Sequence, residues 1–369
     1  MVKVKGTAKL FPPEEEVENS VFAQFADLLS PEVRAITVNN EGLLTGVSTD
    51  PEEDETIFIG YLPFSFIEPT DCHTIQYSKL QEIDRLGPGV DLLSYEDESG
   101  NLHKVVFKFN PLGKPLRLQM AWDELNLLQR LPPHPNLIPF DHIVLEDVES
   151  RMIGFTTKYI PGGTLDNPKV PFRFEWLQQL TEVVDLLNLE LGVIHQDIAP
   201  RNLLVDPDTH KIVLFDFDRA AHGKHRLIEH RDDVTGVVFT LYELITNDVS
   251  FETQWDRTIE MVQNMPEWPC NRELDSDISK FRNFLNEWVA TRKSKRGIEL
   301  NAPSQLTWPS LPDPPDYSVP FEYGKDEYGE TIWETGWRDR RTALEKGQYC
   351  FNWQRPPQSR LSKKAGMDV

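Results

Sequence analysis

The stretch GVIHQDIAPRNLLVDPDTHKIVLFDFDRA, residues 192–220, constrains the fold of this chain more than any other part of it. Asp197, Asn202 and Asp216 lie beside two apolar runs, NLLV and IVLF, that are typical of short buried strands. Aspartate and asparagine are each ordinary turn residues. Their carboxylate and amide oxygens are also ligands that Mg2+ prefers. Three such residues beside two strands therefore predict that the loops meet around a metal ion.

The hydrophobic pattern predicts a β-rich region followed by a helical region. Strands are predicted within residues 76–110, 136–146 and 151–160, with a hairpin turn at Ser99–Gly100–Asn101. Helices are predicted over residues 114–131, 174–192, 234–246 and 276–294. The second of these helices stops at Gly192, a residue type that commonly follows the last helical turn.

The two ends of the chain give weaker signals. Residues 1–75 mix acidic runs with short apolar stretches, and the strand or loop character of residues 56–67 stays open. Residues 301–320 contain six prolines, which exclude regular structure there. One short helix is predicted within residues 336–347. We found no internal repeat.

Composition limits the classes of function. The net charge of −22 argues against a DNA- or RNA-binding surface, because phosphate contacts need clustered lysine and arginine. Cys72, Cys270 and Cys350 have neither metal-like nor disulfide-like spacing, which fits a reducing compartment. No apolar stretch is long enough to span a membrane, and the N-terminus lacks the apolar core of a secretory signal. A cytoplasmic protein is predicted, with a nuclear location as the alternative.

Several motifs in a fixed order resemble those of protein kinases, and the resemblance covers residues 76–300. HQDIAPRN is similar to the kinase catalytic loop H-R-D-x-x-x-x-N, with Gln196 in place of the arginine. LFDFD resembles the magnesium-binding loop, and VVFK ends in Lys108 where kinases place a phosphate-contacting lysine. LQRLPPHPN resembles the end of the following helix, with its motif at residues 134–136.

The resemblance implies an α+β, bilobal protein-kinase-like fold with a β-rich N-lobe and a helical C-lobe. The N-lobe is expected over residues 76–157 and the C-lobe over residues 158–300. Residues 1–75 are expected to form an N-terminal extension. Residues 301–369 are expected to form a Pro- and aromatic-rich C-terminal tail.

The resemblance also implies roles for the residues of the motifs. Asp197 would accept the proton of the attacking hydroxyl, while Asn202 and Asp216 would hold Mg2+. Lys108 needs a carboxylate partner on the next helix. Glu124 has apolar residues at the helical spacings around it and is predicted to face inward, whereas Asp123 has polar neighbours and is predicted to face outward.

The resemblance places an ATP-binding pocket between the lobes. Its expected elements are the glycines Gly87 and Gly89 over the phosphates, Lys108, a gating residue Thr157, and the backbone of Lys158, Tyr159 or Ile160 at the adenine. Asp233 matches the buried aspartate that braces the catalytic loop in kinases.

Three features depart from the kinase pattern. The third glycine of the glycine-rich loop is replaced by Leu92, and the magnesium loop reads DFD with Asp218 in place of glycine. Asp218 would either restrict the loop or add a second carboxylate near the metal. Residues 219–232 are too short for the activation segment that docks peptides in protein kinases. The three histidines in that segment, which are more typical of a solvated loop than of a zinc site, are His222, His225 and His230.

Two functions from different classes follow. The first is an ATP- and Mg2+-dependent phosphotransferase that acts on a hydroxyl of a protein or of a small molecule. The second is a pseudokinase, a nucleotide-binding or scaffold module, favoured by the incomplete glycine loop and the short segment. The C-terminal tail is a candidate site for a protein partner. A phosphate-release assay separates the two functions.

Overall fold

The computed structural model describes most of the chain. The described residues are 3–5, 25, 30, 32–39, 41, 43–54, 61–67, 72–109, 115–254, 256–295, 302, 306–311, 318–325, 328–337, 340–347 and 350. A six-stranded sheet in the first half is followed by a largely helical region, which confirms the predicted bilobal α+β fold. Part of the stretch whose strand or loop character was open, residues 56–60, lies outside the described residues.

One mixed sheet forms the N-terminal lobe. Its strands are β4 (Thr74–Gln76), β5 (Gln81–Gly87), β6 (Val90–Glu96), β7 (Leu102–Phe109), β8 (Phe140–Leu145) and β9 (Met152–Lys158). Three earlier strands, β1 (Lys3–Lys5), β2 (Ala35–Val38) and β3 (Leu44–Ser48), belong to the N-terminal extension. The order of the six strands in the main sheet is β4-β8-β9-β7-β6-β5, and β4 is parallel to β8 while the other pairs are antiparallel. The predicted hairpin turn joins β6 to β7, with Gly100 at φ 80°.

The four helices predicted for this region lie at their expected positions, and a further short helix over Glu260–Gln263 was not predicted. They are α1 (Pro115–Arg130), α2 (Phe174–Asp185), α3 (Asp233–Thr246), α4 (Glu260–Gln263) and α5 (Ile278–Ser294). A π-helical turn, Leu186–Glu190, extends α2, and Gly192 ends the run at φ 68°. Helix α3 is buried over most of its length, as its apolar sequence predicts.

Two short antiparallel strand pairs flank the loops of the opening stretch. Strand β11 (Leu203–Val205) pairs antiparallel with β12 (Ile212–Leu214), with Leu203 opposite Leu214. Strand β10 (Val193–Ile194) pairs with β13 (Ala221–His222). Asn202 directly precedes β11 and Asp216 lies just after β12, so the register brings their two loops to one end of the hairpin.

A continuous hydrophobic core connects the sheet with the helices. Its buried members include Trp122 of α1, Phe155 of β9, Leu177 of α2 and Phe217. The Asn136 amide donates to Ile212 O (2.7 Å) and to Gln179 Oε1 (2.9 Å), which ties the segment after α1 to the helical lobe. A second cluster, on the other face of the sheet, contains Phe107, Phe109 and Tyr61.

The N-terminal extension contains structure that the sequence did not predict. Strands β1 (Lys3–Lys5), β2 (Ala35–Val38) and β3 (Leu44–Ser48) form a separate sheet. Residues 61–67 pack on the main sheet, where Met152 N–H donates to Leu62 O at 2.8 Å.

The C-terminal tail is also more regular than predicted. Strands β14 (Ser318–Lys325) and β15 (Thr331–Trp337) form a hairpin, and α6 (Arg340–Glu345) confirms the predicted short helix. The prediction that residues 301–320 lack regular structure is wrong for Ser318, Val319 and Pro320. Proline is tolerated there because a two-stranded ribbon leaves one side of each strand without a ladder partner. None of the described helices is long and apolar enough to cross a membrane.

Candidate active site

Lys108 joins the two lobes at the cleft. Its Nζ lies 2.7 Å from Glu124 Oε1 of α1 and 2.6 Å from Asp216 Oδ1 after β12. Glu124 thus faces inward, and the same Oε1 accepts a hydrogen bond from the Phe217 backbone N–H at 3.0 Å. The lysine of β7, the glutamate of α1 and the loop after β12 therefore form one connected group.

The loop after β12 has a constrained backbone. Asp216 has φ 65°, in the left-handed region that few residues other than glycine adopt. The Phe217 ring lies 4.7 Å from the His195 ring, edge to face, and His195 Nε2 lies 3.0 Å from Phe215 O. These contacts fix the direction of Asp216, which lies between the two anchored phenylalanines.

Negative charge exceeds positive charge in this group. Burial raises the pKa of Glu124 to about 7, with Lys108 opposing the shift. Burial acts to raise the pKa of Asp216, but the Lys108 ammonium holds it below its usual range. Burial and the Asp216 charge raise the pKa of Asp218. Lys108 contacts Glu124 and Asp216, and the exposed Arg117 lies 3.9 Å from Asp218, so three carboxylates face two positive groups. A bound divalent cation would correct this imbalance.

Asp197 lies in the loop between β10 and β11 with several donors. Its Oδ2 accepts from Asn202 Nδ2 at 3.0 Å, and its Oδ1 accepts from Arg201 Nη2 at 2.8 Å. The Asn202 amide nitrogen also donates to Asp197 O at 2.8 Å. Arg231 Nη1 is 3.8 Å from Asp197 Oδ1. The carboxylate is held in place and is surrounded by positive charge.

Asp233, at the first position of α3, accepts hydrogen bonds from the backbone of the loop that contains Asp197. Its two oxygens accept the backbone N–H groups of His195 and Gln196, each at 2.8 Å. Asn188 donates to Asp233 Oδ2 at 2.8 Å and is itself held by Arg292 at 2.7 Å. The predicted bracing aspartate is thus buried and bonded to the backbone directly before Asp197.

The donor set fits magnesium. Asn202 uses its amide nitrogen on Asp197, which leaves its amide oxygen as the ligand atom. Asp216 bonds Lys108 through Oδ1, which leaves Oδ2. An amide oxygen and a carboxylate oxygen are hard ligands, and magnesium commonly takes one or two protein ligands and completes its shell with water and phosphate. The excess of carboxylates (Glu124, Asp216 and Asp218) over positive groups (Lys108 and Arg117) favours the same ion.

The short segment after the magnesium loop is held by Gln196, which has φ 65°. Its amide nitrogen donates to Arg219 O (2.6 Å) and Arg226 O (3.0 Å), and its amide oxygen accepts from Ile228 N–H (2.5 Å). An arginine at this position would contact a phosphorylated loop, whereas the neutral amide bonds the segment directly. Sequence reasoning identified the missing arginine but not this replacement.

The expected nucleotide-binding residues lie along β5, β9 and the connection that follows β9. Gly87 ends β5, and Pro88–Gly89 form a two-residue turn with Gly89 at φ 74°. Thr157 is buried in β9, opposite Val106 of β7. After it, Lys158 N–H donates to Pro139 O (3.1 Å) and Tyr159 N–H donates to Lys104 O (3.2 Å). Ile160 comes next.

The prediction that Asp123 faces outward is wrong. Its side chain is buried, with 4% of the residue exposed. It accepts hydrogen bonds from Trp308 Nε1 of the tail (3.0 Å) and Gln119 Nε2 (3.0 Å), and His225 Nε2 lies 3.1 Å from it. The C-terminal tail packs on the side of α1 that carries Asp123. The spacing of residues within α1 cannot reveal a contact with so distant a part of the chain. The isolated tryptophan in the proline-rich sequence LTWPSLP was the available signal for docking.

The three histidines of the short segment have different surroundings. His222 lies against the Trp308 ring, with the ring centroids 4.0 Å apart, and His225 contacts Asp123. His230 is exposed and lies 3.7 Å from Glu229. Across the part of the chain that the structure describes, no group of three or more His, Cys, Asp or Glu side chains is arranged to hold a metal ion.

Comparisons with known proteins agree with this geometry. A family model described as "APH: Phosphotransferase enzyme family" matches residues 165–224, the segment that holds Asp197, Asn202 and Asp216. Casein kinase II subunit alpha' of Saccharomyces cerevisiae is 27% identical over 117 residues. That match covers 29% of this chain and 32% of the yeast protein, about a third of its length.

Both similarities support a protein-kinase-like superfamily for this chain. The matched segment contains the two loops whose sequences resemble the catalytic and magnesium-binding loops of kinases. The phosphotransferase family and the yeast kinase subunit are what this chain is similar to over part of its length. The N-lobe contacts of Lys108 and Glu124 extend the kinase-like arrangement beyond residues 165–224.

Proposed function

We propose that this protein is an ATP- and Mg2+-dependent phosphotransferase that transfers the γ-phosphoryl group to a hydroxyl. The observation that carries the proposal is the contact of Lys108 with both Glu124 and Asp216. A lysine held between a helix of one lobe and the metal loop of the other supports a phosphate-binding site at the junction. The fold alone does not need a partly exposed aspartate there.

Each residue has a role in this proposal. Lys108 binds the α- and β-phosphates, and Glu124 holds Lys108 in position. Asn202 and Asp216 hold Mg2+, which would neutralise charge on the phosphate oxygens. Asp197 accepts the proton from the acceptor hydroxyl as the new O–P bond forms. Phosphoryl transfer needs little more from the protein than positioning and charge stabilisation.

The adenine would bind between the lobes, below Gly87 and Gly89 and beside Thr157. The N–H groups of Lys158 and Tyr159 already donate to the chain's own carbonyls. We therefore propose the Ile160 N–H as the donor to adenine. The lobes that enclose this pocket are proposed to span residues 76–157 and 158–300, between an N-terminal extension and a C-terminal tail.

The acceptor is a protein or a small molecule. The short segment after Asp218 favours a small molecule, because the platform that docks peptides in protein kinases needs a longer chain. The loop sequence DIAPRN, with Arg201 four residues after Asp197, resembles the tyrosine-kinase form and favours a protein acceptor.

A pseudokinase is the second candidate, and a specific observation favours it. The turn over the phosphate site consists of Pro88 and Gly89 alone, and Leu92 is buried within β6. So tight a hairpin offers few free backbone N–H groups to phosphate. Under this alternative the protein binds a nucleotide, or a partner through its tail, without turnover.

Two substitutions test the proposal, because they remove different functions. Asp197→Asn keeps the shape of the loop but cannot accept a proton, so phosphate transfer should fall about 10²- to 10⁴-fold while Mg-ATP binding remains. Asp216→Asn removes a charged ligand, so Mg-ATP binding itself should weaken. Binding is measured as a thermal shift with ATP and magnesium compared with ATP and EDTA, and turnover as phosphate release.

The matched control is Asp208→Asn, an exposed aspartate in the turn between β11 and β12. At a hundredfold excess of Mg-ATP over its dissociation constant, the parent should gain about 2.7 kcal/mol of stability. Binding without turnover in the parent would support the pseudokinase. The absence of any magnesium-dependent shift would overturn nucleotide binding altogether.

A further inference from the structure

Residues 306–311 of the C-terminal tail, here called the tail strap, lie against helix α1. The contact is made by an exchange of indole hydrogen bonds between the two elements. Trp308 Nε1 of the strap donates to Asp123 Oδ1 at 3.0 Å, and Trp122 Nε1 of the helix donates to Pro309 O at 2.8 Å. Leu306, Trp308 and Leu311 pack against the main hydrophobic core. The strap is thus fixed to α1 by both polar and apolar contacts.

The Asp123 carboxylate also joins α1 to the segment after the magnesium loop. His225 Nε2 lies 3.1 Å from Asp123 Oδ2, and Arg226 Nη1 lies 3.5 Å from it. Arg226 in turn donates from Nη2 to Asp218 O at 2.6 Å. One carboxylate therefore connects the tail, the helix and the loop that contains Asp216.

The burial of Asp123 makes these partners necessary. A buried carboxylate without hydrogen-bond donors or positive charge is strongly unfavourable, so α1 keeps its rotation only while the partners remain. Glu124 is the next residue, and about 100° of helical rotation separates the two side chains. Any turn of α1 that releases Asp123 also moves Glu124 away from Lys108, which it now contacts at 2.7 Å.

We propose that the tail strap and Asp123 form a positioning device that holds α1 where Glu124 reaches Lys108. Trp308 and Asp123 are positioning residues in this scheme, because they act through Glu124. The effect on catalysis rests on the proposed phosphotransferase function. The effect on the position of α1 does not, and can be measured without nucleotide.

The first test uses two C-terminal truncations of the full chain. A chain that ends at residue 316 keeps the strap, and a chain that ends at residue 300 lacks it. Both lose the β14–β15 hairpin and α6, so the comparison isolates the strap. Amide hydrogen exchange in α1 (Pro115–Arg130) should be at least about 10-fold faster in the shorter chain, the scale expected for a lost hydrogen bond to a buried charge. Equal exchange in the two chains would overturn the proposal.

The second test uses point substitutions that preserve the packing. Trp308→Phe keeps a ring beside His222 but loses the N–H that Asp123 accepts. Asp123→Asn keeps an acceptor for Trp308 but loses the charge that faces His225 and Arg226. The matched control is Trp288→Phe, which loses an indole bond to Asp185 in the helical lobe.

Trp308→Phe and Asp123→Asn should each speed exchange in α1 about 10-fold and leave exchange in α5 unchanged, and their effects should not add. Trp288→Phe should leave α1 unchanged. Weaker Mg-ATP binding in Trp308→Phe and Asp123→Asn, with unchanged binding in the control, would show that the contact also acts through Glu124. A uniform rise of exchange across the chain, or none in α1, would overturn the proposal. Faster exchange in α1 with no nucleotide binding by the parent would support the strap and contradict the phosphotransferase instead.

Discussion

The Glu124 carboxylate balances two opposing effects at the centre of the site. Burial favours its neutral form, and the Lys108 ammonium at 2.7 Å favours its charged form. Burial prevails, so the pKa of Glu124 rises to about 7. Because Lys108 also serves Asp216, its charge is divided between two carboxylates. A group in this state changes its charge near neutral pH.

The titration of Glu124 should be visible in the stability of the fold. Its ordinary pKa, which applies to the unfolded chain, is 4.5, and its pKa in the fold is about 7, so the folded state binds more protons between those values. The free energy of unfolding contributed by Glu124 is therefore fully present below pH 4.5 and is lost as the pH rises through about 7. For the parent, this loss of unfolding free energy is up to about 1.4 kcal/mol for each pH unit. Glutamine does not titrate, so Glu124→Gln should not show the loss.

Urea denaturation of the parent and of Glu124→Gln at intervals from pH 4.5 to 8 measures the difference. Glu98→Gln, in the exposed turn between β6 and β7, is the control. Parallel stability curves for the parent and Glu124→Gln would show that Glu124 does not titrate in this range.

The orientation of Glu124 could be predicted from the sequence, whereas that of Asp123 could not. Apolar neighbours at helical spacing place Glu124 on the inward face, because the information lies within α1 itself. Asp123 was placed outward by the same reasoning. Apart from Gln119 on the same helix, its partners His225 and Trp308 lie about a hundred or more residues away, and no local pattern encodes such contacts.

At the scale of elements, the segment between β12 and α3 is short but highly bonded. Gln196 makes three hydrogen bonds to the backbone of this segment, at Arg219, Arg226 and Ile228. The segment contains no Ser, Thr or Tyr over residues 219–232, so it lacks the usual phosphate acceptors. A neutral amide therefore holds this segment without any phosphate group.

Gln196→Glu tests this arrangement with little change in size. The carboxylate can still accept from Ile228 N–H, but it cannot donate to Arg219 O and Arg226 O and faces them with negative charge. The cost of such unpaired buried groups is about 1–3 kcal/mol each. We expect a lower melting temperature and faster hydrogen exchange over residues 219–228.

Glu229→Gln is the matched control, since the Glu229 side chain is 88% exposed in the same segment. Unchanged exchange in Gln196→Glu would mean that the segment is held by other contacts. Phosphatase treatment should leave the stability and activity of the parent unchanged, because residues 219–232 have no site for phosphorylation.

The elements themselves were largely predictable, and the reason is physical. Helices α1, α2, α3 and α5 bury one face or more within a single core, so their apolar spacing reports their position. The hairpin β14–β15 was missed because a proline-rich sequence suppresses the strand signal, although a ribbon accepts Pro320. The sheet β1–β2–β3 was missed because its strands are short and its first strand lies 30 residues before the second, between Lys5 and Ala35.

At the scale of the whole molecule, the N-terminal extension and the sheet share a core. Tyr61 is buried in the cluster with Phe107 and Phe109, and Ile67 is buried in the main core. Arg151 Nη1 donates to Tyr61 O at 2.9 Å, and Pro63 forms an isolated bridge with Arg151. The sequence predicts the N-lobe only from about residue 76, because the strand pattern of apolar residues and turns becomes clear only there. Among the described residues, Tyr61 and Ile67 already pack against the sheet.

This difference predicts the outcome of two N-terminal truncations. A chain that starts at residue 76 loses Tyr61, Ile67 and most of β4. A chain that starts at residue 60 keeps all three and loses the separate sheet β1–β2–β3 and the ion pair of Asp54 with Arg340 (3.0 Å). Burial of one large apolar side chain stabilises a fold by about 1.5–3 kcal/mol, so the shorter chain should lose on the order of 3–6 kcal/mol. That loss is comparable with the whole stability of a typical domain.

Thermal unfolding followed by circular dichroism measures the effect in both chains. The chain from residue 60 should unfold cooperatively near the temperature of the parent. The chain from residue 76 should melt at least about 10 °C lower, or be unfolded from the start. Tyr61→Ala in the full chain separates packing from the loss of β4, and should by itself lower the melting temperature. If the chain from residue 76 melted with the parent, residues 61–75 would be dispensable for the N-lobe and its border would lie where the strand pattern begins.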